Sequence, residues 1–377
     1  MFKSDEDILN DFTVTRNLKP ITKKAYTTSL KLYTKVNSKS FESLLKEAEN
    51  EENQKIRWKY RKLKQRLISF RNFLTLNYKR SYAKITLSRI ITLYRHFEIE
   101  IHDLPPQSSK NHNESPPITY NDLPDREIIK KALSKSDLFM KATILFMLSS
   151  GCARRETVNL TVNDLIEATK AYHESTDIYE VISLLEKENV IPTFRLKRQK
   201  TNKYFYTFCS PEATKYIFKY LKTQKNLKGT DRVFNIHPET LNKRFKKLND
   251  SLNFGKAGSY TRFRPHMMRK FHASSLLNDG MSISDINAMQ GKSKNMTDES
   301  YFFENPEKLK EKYIIHLHAL EIYSKKKTIK SPEVIKLERE NKHLKELLYK
   351  KECELARIKN EYWFLLIFKS NDLCKIC

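Results

Sequence analysis

Four separated segments of the chain carry side chains that could act together on a phosphate ester. The first segment, residues 149–160, contains Arg154, Arg155 and Glu156 shortly after a glycine. A guanidinium group is planar and permanently charged, so it can bind two non-bridging phosphate oxygens at once. This segment could therefore supply one arginine of a phosphate clamp.

The other three segments add a lysine, a histidine–arginine pair and a tyrosine. Lys200 lies near the tip of a predicted hairpin. His266 and Arg269 are one turn apart on the same face of a predicted helix. Tyr301 follows Lys292 by nine residues. Each signal is weak alone, because the chain has 19 tyrosines and a His-x-x-Arg pair is more often a surface feature. In this order along the chain, however, Arg, Lys, His-x-x-Arg and Tyr form a set that could act together on one phosphate ester.

The four segments resemble the catalytic domain of tyrosine recombinases, the phage-type integrase family, and particularly the integrases of archaeal viruses and plasmids. The likeness covers residues 123–323 and is closest over 265–323. It implies a site-specific recombinase that cleaves and rejoins DNA through a covalent 3′-phosphotyrosine. It also implies double-stranded attachment sites as partners, a homo-oligomer that is a tetramer on DNA, and no metal or other cofactor.

The resemblance assigns the chemical steps to three side chains. Tyr301 is the nucleophile, and His266 hydrogen-bonds the phosphate and helps to accept the tyrosine proton. This help is needed because a phenol with a pKa of about 10 is a poor nucleophile at neutral pH. Lys200 donates a proton to the departing 5′-oxygen.

The resemblance assigns the phosphate clamp to Arg154 and Arg269, with Glu156 orienting the first arginine. The family's Gly-x-Arg pattern places its arginine three positions before the acidic residue, and here Ala153 holds that position. Arg154 is one residue closer to Glu156, and we choose it over Arg155, which is the reserve.

Position 292 is a second departure from the family pattern, which has a histidine or tryptophan there. Lys292 can contact a phosphate as a point charge, but it does not act as a neutral acceptor as imidazole does. The departure leaves the role of this position open, whereas the reaction class is unaffected.

Hydrophobic spacing predicts a mainly α-helical chain with a small β-sheet. Residues 1–104 are predicted to form a helical domain that resembles the family's core-binding, DNA-binding domain in outline. Residues 105–117 contain four prolines and are predicted to be a linker. Residues 118–325 are the predicted catalytic domain, in which strand-forming residues within 189–208 indicate one hairpin.

The last segment, residues 331–377, is predicted to be a helical tail with a coiled coil. Its core positions form two heptad series: Val334, Asn341, Leu348, Leu355 and Tyr362, and Leu337, Leu344, Lys351 and Ile358. Asn341 in the core favours a parallel pair of helices. Because Lys351 also falls in the core, a single solvated helix is the alternative.

Composition agrees with a nucleic-acid partner. The chain of 377 residues has 71 Lys and Arg against 45 Asp and Glu, a formal net charge of +26. Such a surplus predicts binding to a polyanion, although a lysine-rich composition can also follow from an AT-rich genome. No apolar run reaches the length of a membrane helix, and the five scattered cysteines indicate a reducing compartment. We therefore expect a cytoplasmic protein that is nucleoid-associated when bound to DNA.

Two other functions are compatible with parts of this pattern. A type IB topoisomerase-like enzyme or a resolvase would use the same chemistry. A non-catalytic DNA-binding protein with a dimerising coiled coil would share the charge and the heptads. The second alternative leaves the ordered set of Arg, Lys, His, Arg and Tyr unexplained.

Overall fold

A computed structural model of the chain describes residues 4–107, 116–292, 305–323 and 329–373, with the side chains of the last range described as far as residue 358. The chain divides into two compact units, Met1–Pro116 and Pro117–Cys377. Each unit has a hydrophobic core of its own.

The first unit is a bundle of helices around an aromatic core. Tyr33, Phe41, Phe70 and Tyr94 are fully buried, and their rings meet edge-on or tilted, an arrangement that aromatic quadrupoles favour. The helices are α1 (Asp5–Thr15), α2 (Pro20–Asn37), α3 (Phe41–Asn53), α4 (Lys62–Asn77) and α5 (Arg80–His96).

The second unit is also mainly helical and is built around one buried helix, α7. This helix packs against α11 and α13, and its residues from 142 to 150 are all buried. The helices are α6 (Arg126–Ser134), α7 (Leu138–Ser150), α8 (Arg154–Asn159), α9 (Val162–Thr169), α10 (Ile178–Leu185), α11 (Pro211–Lys222), α12 (Pro238–Ser251), α13 (Pro265–Asn278), α14 (Ile283–Met289), α15 (Pro306–Ile315) and α16 (Pro332–Leu373).

The predicted hairpin is present, formed by β1 (Thr193–Lys197) and β2 (Tyr204–Phe208). The two strands pair antiparallel, with Thr193 opposite Phe208 and Lys197 opposite Tyr204. A second small pair, β3 (Lys256–Ala257) and β4 (Tyr260–Thr261), corrects the prediction of one sheet. Strands of two residues are too short to show the alternation that identifies a strand in sequence.

The tail helix α16 is anchored near its beginning. Ile335 is buried, Lys336 forms an ion pair with Glu174 at 3.0 Å, and Arg339 donates to the carbonyl oxygen of Tyr172 at 2.9 Å. From residue 340 to 358 every side chain is exposed. No described helix combines the length and the apolar character that crossing a bilayer would require.

Candidate active site

Helix α13 presents the predicted histidine–arginine pair. It begins at Pro265, a residue whose fixed backbone angle suits the first helical position. His266 is exposed, whereas Arg269, one turn later, is only 7% exposed. A buried guanidinium group must find acceptors for its N–H groups, since burying a charge without partners is costly.

Arg269 finds those acceptors at the ends of two other helices. Its Nη1 donates to the carbonyl oxygen of Gly151, just after α7, at 2.7 Å. Its Nη2 donates to the carbonyl oxygen of Gln290, just after α14. The last carbonyls of a helix lack partners within the helix and carry partial negative charge, so they attract cations. Arg269 therefore joins α7, α13 and α14 at one point.

The end of α7 is a meeting point for two further elements. The carbonyl oxygen of Ser149 accepts a hydrogen bond from the hydroxyl of Tyr313 on α15 at 3.0 Å. The carbonyl oxygen of Ser150 accepts one from the hydroxyl of Thr207 on β2 at 2.6 Å. With Gly151, three consecutive carbonyls bind side chains from three different elements. This arrangement fixes the hairpin and α15 relative to Arg269.

Gly151 is required at this point by both space and backbone conformation. Its φ is +63°, in the left-handed region that favours glycine. A Cβ there would lie 2.6 Å from Nδ1 of His272. His272 is fully buried, and its Nδ1 lies 3.2 Å from Nε2 of Gln290. Burial lowers the pKa of His272 to about 3, so the ring is neutral and acts in packing.

The first predicted arginine lies at the beginning of α8. Arg154 is the first residue of this helix and donates to the carbonyl oxygen of Pro238 at 3.3 Å. It also forms an ion pair with Glu239 at 3.1 Å. The carboxylate of Glu156 is buried, and its Oε2 has no hydrogen-bond partner among the described residues. Arg154 thus pairs with Glu239 on α12, and the role of Glu156 in orienting this arginine stays a prediction.

Arg155 differs from its neighbour in both exposure and contacts. Its side chain is exposed, and no hydrogen bond or ion pair connects it to another part of the described chain. Successive helical residues point about 100° apart, which explains why Arg154 reaches α12 and Arg155 does not.

The hairpin carries Lys200 at its tip, as predicted, with an exposed side chain. Arg198, at the base of the tip, is a residue that was not predicted from the sequence. Its guanidinium Nη1 donates to the carbonyl oxygen of Gly291, immediately before Lys292. The available signal was the density of basic residues along the hairpin, but spacing alone did not distinguish Arg198 from Arg195 or Lys197.

Lys292 lies just beyond the end of α14 with an exposed side chain. Its backbone N–H donates to the carbonyl oxygen of Asn287 at 2.9 Å, which closes the helix end. Loss of part of its hydration lowers the pKa of Lys292 below its ordinary value, and the positive charges of Arg269 and Arg198 lower it further. Three cations thus lie near one another around the end of α14.

His266 faces this group of cations. Loss of part of its hydration lowers the pKa of His266, and the positive charges of Lys270, Arg264, Arg269 and Lys292 act in the same direction. The imidazole is therefore neutral at neutral pH and able to accept a proton. A neutral base among several fixed cations is an arrangement that suits a bound anion and proton transfer at that anion.

Tyr301, the predicted nucleophile, lies outside the described residues, in the interval 293–304. The described chain places the N-terminal side of this interval at Lys292 and its C-terminal side at Asn305, the N-cap of α15. Among the described residues, no group of three or more His, Cys, Asp or Glu side chains is arranged to hold a metal ion.

Comparison with known proteins gives a consistent result. Residues 126–308 match the model of the phage integrase family. No curated protein sequence is significantly similar to the chain.

Three solved structures illustrate the likeness in fold. A lambda integrase dimer bound to a COC′ core site matches with a TM-score of 0.52 and 10% identity, over 80% of this chain and 97% of that one. A lambda integrase tetramer bound to a Holliday junction matches with a TM-score of 0.51 and 10% identity, over 79% and 78% of the two chains. The Tn1549 transposon integrase in complex with a circular intermediate DNA matches with a TM-score of 0.50 and 15% identity, over 80% and 96%.

Proposed function

We propose that Tyr301 is the nucleophile of this chain at the attachment sites of a mobile element. Residues 126–308 match the phage integrase family, and the chain is a tyrosine recombinase that breaks and rejoins DNA. The observation that carries the proposal is the position of Arg269. This arginine is buried at the junction of α7, α13 and α14, with His266 on its own helix and Lys292 just beyond the end of α14. A phosphate bound here would meet charged donors that the fold already holds in place.

In the proposed cleavage step, the hydroxyl oxygen of Tyr301 attacks phosphorus and the bond from phosphorus to the 5′-oxygen breaks. The phenolic proton passes to His266, whose lowered pKa keeps it neutral beforehand. The 5′-oxygen takes a proton from Lys200. Arg154 and Arg269 stabilise the negative charge on the non-bridging oxygens, and Lys292 adds a further positive charge nearby. A second strand's 5′-hydroxyl then reverses the step on the phosphotyrosine.

Arg154 would have to leave its present partners to serve in this clamp. Its ion pair with Glu239 is partly solvent-exposed on both sides, so breaking it costs little. A phosphate that accepts two hydrogen bonds from a guanidinium group is a stronger partner than a single exposed carboxylate. Glu156 lies two residues away and would support the arginine through the first turn of α8.

We further propose the assembly and the DNA-binding surface. The helical unit Met1–Pro116 would serve as the core-binding domain, and the net charge of +26 supports a clamp around duplex DNA. The protein would act as a homo-oligomer, a tetramer when two sites are joined, with α16 pairing between copies. The residues over 265–323 support an archaeal mobile element as its source.

The decisive experiment uses the Tyr301→Phe variant and a suicide substrate that contains the element's attachment site. The variant should bind this DNA with near wild-type affinity and form no covalent adduct, because only the nucleophilic oxygen is lost. Denaturing gel electrophoresis separates the adduct from free protein, and mass spectrometry maps the modified residue.

The matched control is Tyr260→Phe, since Tyr260 is a described and exposed tyrosine of the same unit. This variant should retain the adduct. An adduct that persists in Tyr301→Phe, or that maps to Tyr260, Tyr313 or Tyr323, would show that another tyrosine is the nucleophile.

A further inference from the structure

The tip of the hairpin needs support if Lys200 is to deliver a proton to a defined atom. The strand pairing ends at Lys197 and Tyr204, and the residues between them form a short turn. Two backbone hydrogen bonds close this turn at Arg198, whose N–H donates to Lys203 and whose carbonyl accepts from Asn202, both at 2.8 Å. The side chain of Lys200 is exposed beyond this closure.

The guanidinium group of Arg198 connects the turn to the end of α14. It donates to the carbonyl oxygen of Gly291, while Arg269 donates to the carbonyl oxygen of Gln290. Two arginines from different elements thus bind consecutive carbonyls at one helix end. This common anchor links the hairpin directly to the arginine proposed for the phosphate clamp.

A close packing contact supports the same junction. Gly291 has a φ of +58°, and a Cβ there would lie 2.7 Å from the ring of Phe205 on β2. The ring therefore lies directly against the backbone of Gly291. The hydrogen bond of Arg198 and the contact of Phe205 hold the hairpin against α14 from two adjacent points.

We propose that Arg198 is a positioning residue that fixes the hairpin to the Gly291 carbonyl and so places the Lys200 ammonium at the 5′-oxygen. This inference rests on the proposed function of Lys200. Arginine suits the task because its rigid fork can hold a carbonyl while the backbone of the same residue closes the turn. Without the Arg198 side chain, Lys200 would still be able to donate a proton, but it would be free to move away from the leaving group.

The test compares two leaving groups in single-turnover cleavage. One substrate is the suicide duplex with the normal 5′-oxygen, and the other has sulfur in place of that bridging oxygen. An oxygen leaving group needs a proton from Lys200, whereas sulfur leaves as a thiolate because a thiol has a pKa of only about 8.5. A defect in proton delivery therefore slows the first substrate and spares the second.

For Arg198→Ala we expect cleavage of the oxygen substrate to slow on the order of 100-fold, the lower range for loss of a general acid. Cleavage of the sulfur substrate should remain close to wild type. Lys200→Ala should show the same pattern with a larger oxygen defect. Arg198→Lys should fall between wild type and Arg198→Ala, because one ammonium can still reach the carbonyl.

Two controls separate this effect from a general loss of charge or of fold. Arg195→Ala removes a positive charge from the same hairpin, where Arg195 lies over the ring of Tyr204 at 4.3 Å, and should keep the wild-type ratio of sulfur to oxygen rates. Arg269→Ala should slow both substrates equally, because it loses the clamp itself.

The outcomes distinguish the two proposals. If Arg198→Ala slows both substrates equally while Lys200→Ala is rescued by sulfur, Arg198 does not position the acid and the inference is wrong. If sulfur rescues neither variant, Lys200 is not the acid and the inference also fails. If the wild-type protein forms no adduct on either substrate, the proposed function itself fails.

Discussion

Arg269 illustrates how a charged side chain becomes part of a site before any ligand binds. Burial lowers its pKa from the ordinary value, yet arginine stays charged because that value is very high. Two backbone carbonyls compensate for the lost hydration. The guanidinium group is therefore held in one position, and little reorganisation is needed when a phosphate arrives.

The two neighbouring arginines of α8 should differ in how much each contributes to DNA cleavage. Arg154→Ala should slow single-turnover cleavage on the order of 100-fold or more, since a charged group that stabilises the transition state is lost. DNA binding should weaken only modestly. Arg155→Ala is the matched control, with the same charge removed one residue away, and should lose much less activity.

The reverse ranking of these two variants would transfer the clamp role to Arg155. Equal, small effects would mean that neither arginine completes the clamp. Electrophoretic mobility shifts on the same duplex separate losses in binding from losses in the chemical step.

Gly151 offers a second prediction, on stability. In Gly151→Ala the new Cβ meets the His272 ring, and the residue also has to adopt a positive φ. The backbone conformation costs roughly 1–2 kcal/mol, and the steric conflict adds about 1–3 kcal/mol. The free energy of unfolding, measured by denaturant titration, should fall by roughly 2–5 kcal/mol.

Gly255→Ala is the control for that variant. Gly255 has a φ of +75°, but nothing lies within 4 Å of the position that an added methyl group would occupy. This variant should lose only the backbone contribution, roughly 1–2 kcal/mol. Equal losses in the two variants would show that the contact with His272 contributes nothing.

The hairpin and α16 differ in how each is held to the rest of the second unit. The hairpin is held by Thr207 at the end of α7 and by Phe205 against Gly291. Helix α16 instead extends beyond its anchor with exposed apolar side chains: Leu337 at 56%, Leu344 at 62% and Leu348 at 62% exposed. Leaving such a series in water is unfavourable, and pairing with a second copy would bury it.

The pairing of α16 can be tested by disulfide formation in the full chain. With Cys353, Cys374 and Cys377 replaced by serine, Leu344→Cys should form a covalent dimer on mild oxidation. In a parallel pair, position 344 meets its own counterpart in the core. Nonreducing gel electrophoresis measures the product.

Glu346→Cys in the same background is the control, because position 346 lies on the outer face of the heptad. It should form little dimer. Equal cross-linking at both positions, together with a monomer in sedimentation, would favour the single solvated helix. Attraction between Glu340 and Lys345 of two copies, and between Glu354 and Lys359, should align a parallel pair.

The whole molecule is strongly basic, and its behaviour toward DNA should follow from that charge. A protein that neutralises many phosphates releases condensed counterions, so its affinity should fall steeply with salt. We expect a linear fall in log K against log salt concentration between roughly 50 and 200 mM. Fluorescence anisotropy with a labelled attachment-site duplex measures this slope.

A duplex of unrelated sequence serves as the comparison in that experiment. Its slope should be similar, because phosphate contacts do not depend on sequence. An affinity that hardly changes with salt would mean that the charge of +26 does not form a DNA clamp.

The amino-acid sequence by itself determined the types and order of the candidate catalytic residues and most of the regular elements. His266 and Arg269 lie on one helix and Lys200 lies at a hairpin tip, as predicted. These features are local, since a helix, a turn or a helix end depends on residues a few positions apart.

Only the tertiary structure decided which partners hold those residues. The acceptors of Arg269 and Arg198 are backbone carbonyls, which every residue has and which no sequence pattern distinguishes. The pairing of Arg154 with Glu239 joins positions 85 residues apart, and the contact of Gly151 with His272 spans a still longer stretch of chain. Such contacts depend on how helices pack, and packing is set by the whole core rather than by local spacing.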